Sequence, residues 1–319
     1  MATSGITSFS VTELDIITDA YENAGIYGVG ETLGAEDVAL ARRKLNLIFK
    51  QWVGQIDFAP GLKMWCRRRA YLFLQDAQIQ YAMGPTGDHI AEGSYVTTTL
   101  TANASLGAST ITVASITGLA TTMFIGIKLD TGVIQWTTIN GAPSGSTVTL
   151  TATLAAAASS GARVFAYTSK ARRPFEIASA SLRSTSGSDA PIDTTTLLEE
   201  YEAISSKSSE GTPSAIYFEA QRTNAQLYLD CAPSDLTDVI RMVYLSYVED
   251  STAITDDIDF PAEWYRPLSA QLGMDLCPAF QRPVSQELKL MRDESLRVAQ
   301  NAHPATTTAS FETDPDCYD

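Results

Sequence analysis

Basic charge is scarce in this chain, and so are the side chains that catalysis and metal binding usually draw on. Its 319 residues carry 22 Lys and Arg against 37 Asp and Glu, a net charge of −15. That balance argues against tight wrapping of nucleic acid, which rests on many Lys/Arg–phosphate contacts. It does not prevent DNA from sliding past an acidic wall, because repulsion keeps the duplex from sticking. Only His89 and His303 offer imidazoles, and the cysteines, Cys66, Cys231, Cys277 and Cys317, lie far apart with no CxxC pair. This inventory makes a zinc site unexpected. The sparse cysteines fit a reduced, cytosolic product better than a disulfide framework. The opening MATSGITSFSVTELDI lacks the basic region and apolar run of a signal peptide. No stretch approaches the roughly 20 apolar residues needed to cross a bilayer.

Catalytic motifs are equally thin. There is no P-loop, no GxGxxG after a strand and no HExxH. His89, beside Asp88, is the one candidate general base; a polar loop residue is the favoured reading of that position. Asp256, Asp257 and Asp259 resemble the start of a calcium loop, but the glycine and the closing Glu are missing. An acidic cluster at a helix N-terminus is the better reading. Neither an enzymatic activity nor a cofactor or metal site is expected.

What the chain does contain is an abrupt compositional break. Between Ser94 and Ala162 the only charged residues are Lys128 and Asp130, and the segment is rich in Thr, Ser, Ala, Val, Ile and Gly. Runs such as FIGIKL, VIQWTTI and STVTLTATL are enriched in β-branched residues, with turn residues at DTG and NGAPSGS between them. Residues 94–167 therefore read as an inserted small antiparallel barrel or sandwich. Its uncharged strands either pack against a partner or are simply exposed.

The flanks carry helical patterns. Thr12 and Asp15 are placed as a capping box for a helix over 12–24, with Leu14, Ile17, Tyr21 and Ala24 as its buried stripe. A second helix is expected over 35–54, with Val38, Ala41, Leu45, Ile48 and Trp52 on one face. Near the other end, Tyr265, Leu268, Leu272 and Leu276 form a stripe ended by Pro278. Val284, Leu288, Met291, Ser295 and Val298 mark a last helix over 284–300. Residues 69–83 read as a hairpin, and 174–248 as a β meander interrupted by a short helix at LLEEYEAIS.

The expected fold class is α+β: a helical bundle formed from both chain ends, with a β meander and an inserted small all-β domain. The expected division is a body of residues 1–93 and 168–302, the insert 94–167, and a flexible polar arm 303–319. Two arginine clusters flank the β region: Arg67, Arg68 and Arg69, and Arg172 and Arg173. They suit DNA phosphates or an acidic partner surface. Pairing within or between subunits is preferred, because acidic groups are in excess.

Several segments together resemble the head-to-tail adaptor (connector, or tail accessory) proteins of tailed bacteriophages, the short-tailed type in particular. They are TELDIITDAYENAGIYGVGETLGAEDVALARRKLNLIFKQW, YLFLQDAQIQYAMGPTGDH, EEYEAISSKSSEGTPSAIYFEAQRTNAQLYLDCAPSD, DDIDFPAEWYRPLSAQLGMDLCPAF and PVSQELKLMRDESLRVAQNA. The resemblance spans about residues 10–302. It implies a non-enzymatic structural protein made in the host bacterial cytoplasm and located at the neck of the virion. There it would form a dodecameric ring below the portal, extend the DNA channel without reading sequence, help retain packaged DNA and seat the tail. Its implied partners are the portal protein, tail nozzle or tube and fibre proteins, and further copies of itself; none is a membrane. Phe311 and Tyr318 would anchor a C-terminal arm in the portal. The alternative is a receptor-binding or fibre-associated tail protein that uses the β insert.

Overall fold

A computed structural model describes residues 9–54 and 66–302. The chain divides at 66/67 and 246/247 into two compact units: one formed by the residues before and after these points, the other by residues 67–246.

The first unit holds the longer helices α1 (Glu13–Asn23), α2 (Ala35–Gly54), α4 (Tyr265–Leu276) and α5 (Gln286–Ala302). The Thr12–Asp15 capping box is formed, with the Asp15 carboxylate accepting from the Thr12 amide at 2.9 Å. These reciprocal bonds satisfy donors that a helix start leaves open. Helix α4 touches the other three, and its stripe of Tyr265, Leu268, Leu272 and Leu276 is buried. Gly273 is needed at the α1 crossing: a Cβ there would lie 2.8 Å from the Ala20 carbonyl oxygen. Glu13 is wholly buried and compensated, because Arg42 Nε lies 2.8 and 3.1 Å from its two oxygens and Ser251 Oγ donates to it at 2.6 Å. Asn46 closes the network on the Ser251 backbone, with both bonds at 3.0 Å. A buried carboxylate is tolerable only when its lone pairs are met in this way.

Two stripes depart from expectation. Leu14 is exposed, and Glu13 and Ile16 turn inward instead. In α5, Val298 is exposed while Ala299 is buried.

The second unit is almost entirely β. Its main sheet has eight strands: β1 (Arg67–Phe73), β2 (Gln80–Met83), β3 (Ile90–Glu92), β10 (Pro174–Arg183), β11 (Asp189–Thr196), β13 (Ala215–Glu219), β14 (Ala225–Leu229) and β16 (Val239–Ser246). They run in the order β2-β14-β13-β11-β10-β16-β1-β3. The two outermost strands, β2 and β3, are sequence neighbours, and Ala82 and Asp88 join the segments that bear them by hydrogen bonds of 2.7 Å. The sheet is thus curled nearly closed. Tyr81, Leu72, Ile90, Ile192, Ile216, Leu227 and Met242 share one interior core although they come from seven different strands. The short helix α3 (Leu198–Ala203) and the minor pair β12 (Glu210–Gly211) and β15 (Ala232–Pro233) lie in the connections.

The inserted segment makes a four-stranded sheet, β4-β9-β6-β7, from β4 (Val96–Thr99), β6 (Phe124–Lys128), β7 (Ile134–Thr138) and β9 (Arg163–Tyr167). The pair β5 (Thr110–Thr112) and β8 (Thr147–Thr149) completes it. Ile111, Val113, Ile125, Ile127, Val148, Leu150 and Val164 form a core separate from that of the main sheet.

The expected fold class is corrected by this architecture. Sixteen strands against five helices make the described chain predominantly β, with the eight-stranded sheet its largest element, rather than a helical bundle with an appended meander. The expected hairpin over 69–83 is corrected too. Its strands do not pair with each other: β1 lies between β16 and β3, and β2 pairs with β14. The reason is common to both corrections. Long-range strand partners add Arg67–Phe73 and Val239–Ser246 to one sheet, and a pattern of local turns carries no information about such partners.

Candidate functional site: an aromatic seam and an arginine-bearing sheet end

The insert is fixed to the main sheet by one face. Alternation along β9 puts Val164 and Ala166 in the insert's own core and turns Phe165 and Tyr167 the other way. On β6 and β7 the same rule turns Phe124 and Trp136 to that second face. The insert's five aromatics, Tyr95, Phe124, Trp136, Phe165 and Tyr167, all meet Tyr71, Phe73 and Val239 of the main sheet there.

Phe73 is the hub. Its ring centroid lies 4.9 Å from Phe165, 5.0 Å from Trp136, 5.4 Å from Tyr95 and 5.8 Å from Tyr167. Such tilted and offset pairs add about 0.5–1.5 kcal/mol each beyond area burial. Gly126 is what lets Trp136 lie across β6: an added Cβ would come within 2.8 Å of its ring. Gln75, in the turn after β1, clamps the exit of the seam. It donates to the Ile134 carbonyl at 3.0 Å and accepts from the Ile134 amide at 2.9 Å.

His89 lies in the loop before β3, as expected, and its ring packs into this seam. Its ring stacks on Trp136 at 4.4 Å and 4° between planes, and Nδ1 lies 2.7 Å from the Tyr167 hydroxyl. Burial, with the Lys170 charge as the smaller cause, lowers its pKa to about 4. The imidazole is neutral at neutral pH, and burial also raises the Tyr167 hydroxyl above its ordinary value. Phe73, Gln75, Tyr81, Asp88, His89 and Trp136 are among the residues lining a cavity of only ≈ 120 Å³, well below the roughly 300 Å³ at which ligand pockets begin. The position is explained by packing.

The arginines are divided by strand alternation. Arg67 and Arg69 share the Tyr71/Phe73 face of β1 and are exposed; Arg68 is on the opposite face. Arg68 and Arg172 converge on one Glu92 oxygen, at 3.3 and 3.7 Å, and Arg68 Nε donates to Ser246 Oγ at 3.0 Å. Arg173 donates to the Gln221 carbonyl at 3.1 Å. Arg68, Arg172 and Arg173 are therefore engaged within the chain, while Arg67 and Arg69 face solvent. Phe311 and Tyr318 lie outside the described residues.

The acidic run near 256 serves the backbone. Asp256 accepts from the Thr252 amide and hydroxyl at 3.0 Å and from the Ala253 amide at 2.7 Å, which lowers its pKa. Among the described residues, no group of three or more His, Cys, Asp or Glu is arranged to hold a metal, and no helix is long and apolar enough to cross a membrane.

The seam was missed in the sequence, although one signal for it was present. The insert has few aromatics, and they occur at alternate strand positions, as in Phe165-Ala166-Tyr167. A module that stands alone has no reason to turn large rings away from its own core. No protein-family model and no curated protein matches this chain.

Proposed function

We propose that the chain is a structural, non-enzymatic head-to-tail adaptor of a tailed bacteriophage. In this reading it forms a ring below the portal, extends the DNA channel and presents its β insert to neighbouring tail proteins. Two things support it: the resemblance over about residues 10–302, and the seam. The seam is the observation that carries the reading. A joint of eight packed rings and a two-bond glutamine clamp holds the insert in one orientation on the main sheet. A platform that transmits load between head and tail needs such fixed geometry, and a module on a free linker would not supply it. Arg67 and Arg69 are the exposed cations suited to a neighbouring acidic subunit or to passing phosphates. Phe311 and Tyr318 are proposed as portal anchors.

Electron microscopy of particles carrying a peptide tag at Gly145, in the turn before β8, tests the reading. Label is expected in a ring at the neck, and a chain ending at Ala302 is expected to be depleted from it. Label at fibre tips would favour the receptor-binding alternative, and absence from particles would refute both.

A further inference from the structure

The charged residues of the insert, few as they are, line a single cleft. Lys128, Asp130 and Arg163 border a cavity of ≈ 730 Å³ together with the hydroxyls of Thr99, Ser159, Thr185 and Thr237. Its volume lies within the roughly 300–1,000 Å³ of small-molecule sites. The cleft opens where the aromatic seam runs out. Along β9 the seam-facing row reads Tyr167, Phe165, Arg163, and along β6 it reads Phe124, Gly126, Lys128.

Strand register makes the two cations direct neighbours. Ile127 pairs with Val164, so Lys128 and Arg163 are the next opposed positions on antiparallel strands. Opposed Cβ atoms sit about 4.5–5.5 Å apart, and like charges placed so are destabilising. No carboxylate forms an ion pair with either, although after its Thr237 hydrogen bonds the Lys128 and Arg163 charges help hold the nearby Asp235 carboxyl below its ordinary value. Asp130 is occupied by the Ser159 amide at 2.9 Å and hydroxyl at 3.0 Å. Asp235, on the main-sheet side, holds the Thr237 amide at 2.8 Å and hydroxyl at 2.6 Å. Among the described residues, neither Lys128 nor Arg163 forms an ion pair, and Arg163 Nε is buried without a hydrogen-bond partner. A buried guanidinium N–H left open carries its full desolvation cost.

We infer that Lys128 and Arg163 form a subsite for one oxyanion group of a small hydroxylated ligand, an acidic sugar being the chemical class that fits. A carboxylate or phosphate between the two cations would relieve their repulsion and accept from the Lys128 ammonium and the Arg163 guanidinium. Thr99 and Thr185 add hydroxyl-bearing side chains to the lining, and the Ser159 and Thr237 hydroxyls, which donate to Asp130 and Asp235, keep acceptor capacity for a ligand rich in hydroxyls. Asp130 on the cleft wall, with Asp235 and Asp238 near the cations, disfavours a polyanion such as DNA. The inference does not depend on the adaptor reading and stands or falls separately from it.

Calorimetric titration of the full chain tests it, with glucuronate, a glucose phosphate and neutral methyl glucoside as probes. Glucuronate or the phosphate ester is expected to bind saturably in the millimolar range, and which of the two binds identifies the oxyanion. Lys128→Gln and Arg163→Gln are each expected to weaken it about tenfold or more, a loss typical of one charge-assisted contact. The wild-type chain supplies a check independent of variant folding: amide shifts on titration should centre on Thr99, Lys128, Ser159 and Arg163. Absence of saturable binding by both anions, equal binding by methyl glucoside, unchanged affinity in both variants, or shifts centred elsewhere would each overturn the subsite.

Discussion

The insert and the main sheet are both β structures, yet they are assembled in opposite ways. Strands of the insert are three to five residues long and find partners inside a segment of about seventy residues, as with Thr110↔Thr149 and Val96↔Ala166. Its core is mainly Val, Ile, Leu and Ala. The main sheet has strands of up to ten residues and needs pairings such as Arg67↔Leu245 and Gln80↔Tyr228, across some 150 positions or more. Loop closure must be completed before such contacts return any stability. The comparison teaches that the insert is locally determined, while the sheet that holds it depends on two distant parts of the chain meeting. The aromatic seam is where these two modes join.

Removing the hub of that seam should produce the largest effect. Phe73→Ala is expected to cost about 3–5 kcal/mol, the range for buried aromatic truncations, measured by urea denaturation. Because Phe73 lies on β1 but touches four insert rings, the loss should appear in both regions. A loss confined to the main sheet would mean that the seam contributes little to holding the insert.

A smaller and more local effect is expected from Gly126→Ala. The new Cβ meets the Trp136 ring at 2.8 Å and Ile134 Cγ2 at 2.9 Å, and overpacking of this kind costs about 1–3 kcal/mol. Hydrogen exchange should speed up at Ile134 while Val148, on the far side of the insert, keeps its protection. Equal loss at both amides would show that seam and insert core are one cooperative unit.

The smallest effect at neutral pH belongs to His89. Its folded-state pKa, about 4, lies below the ordinary 6.5, so the unfolded chain binds the proton more readily. The contribution of neutral His89 is then complete above pH 6.5 and falls as pH drops from 6.5 toward 4. His89→Gln should flatten the acid limb of stability against pH relative to wild type. Identical limbs would show that the ring titrates freely and is not held in the seam.

Much of the helical unit was readable in advance because its determinants are local. Thr12 and Asp15 are three residues apart and cap α1 as expected; the stripes of α2 and α4 follow the helical period. The exceptions, Leu14 and Val298, are apolar side chains exposed on the surface. Period alone gives an apolar face, not the angle at which a neighbour covers it. The candidate site was less legible. Arg68 and Arg172 were identified as residues, but their convergence on Glu92 was not, since that contact requires β1, β3 and the residues before β10 at one end of a sheet.

The amino-acid sequence by itself determined a segment nearly free of charge, the identity of its few charged and aromatic residues, the capping box of α1 and the helical stripes on either side. Short-range periodicity, turn chemistry and composition suffice for these. Tertiary structure alone decided that the chain is predominantly β, that Phe73 carries the joint between module and sheet, that His89 is held neutral by burial in the seam, and that Lys128 and Arg163 stand opposed in one cleft. Each of these depends on strand register between distant segments. A shift of one residue would turn every such side chain to the other face, and no local pattern encodes which distant strand supplies the partner.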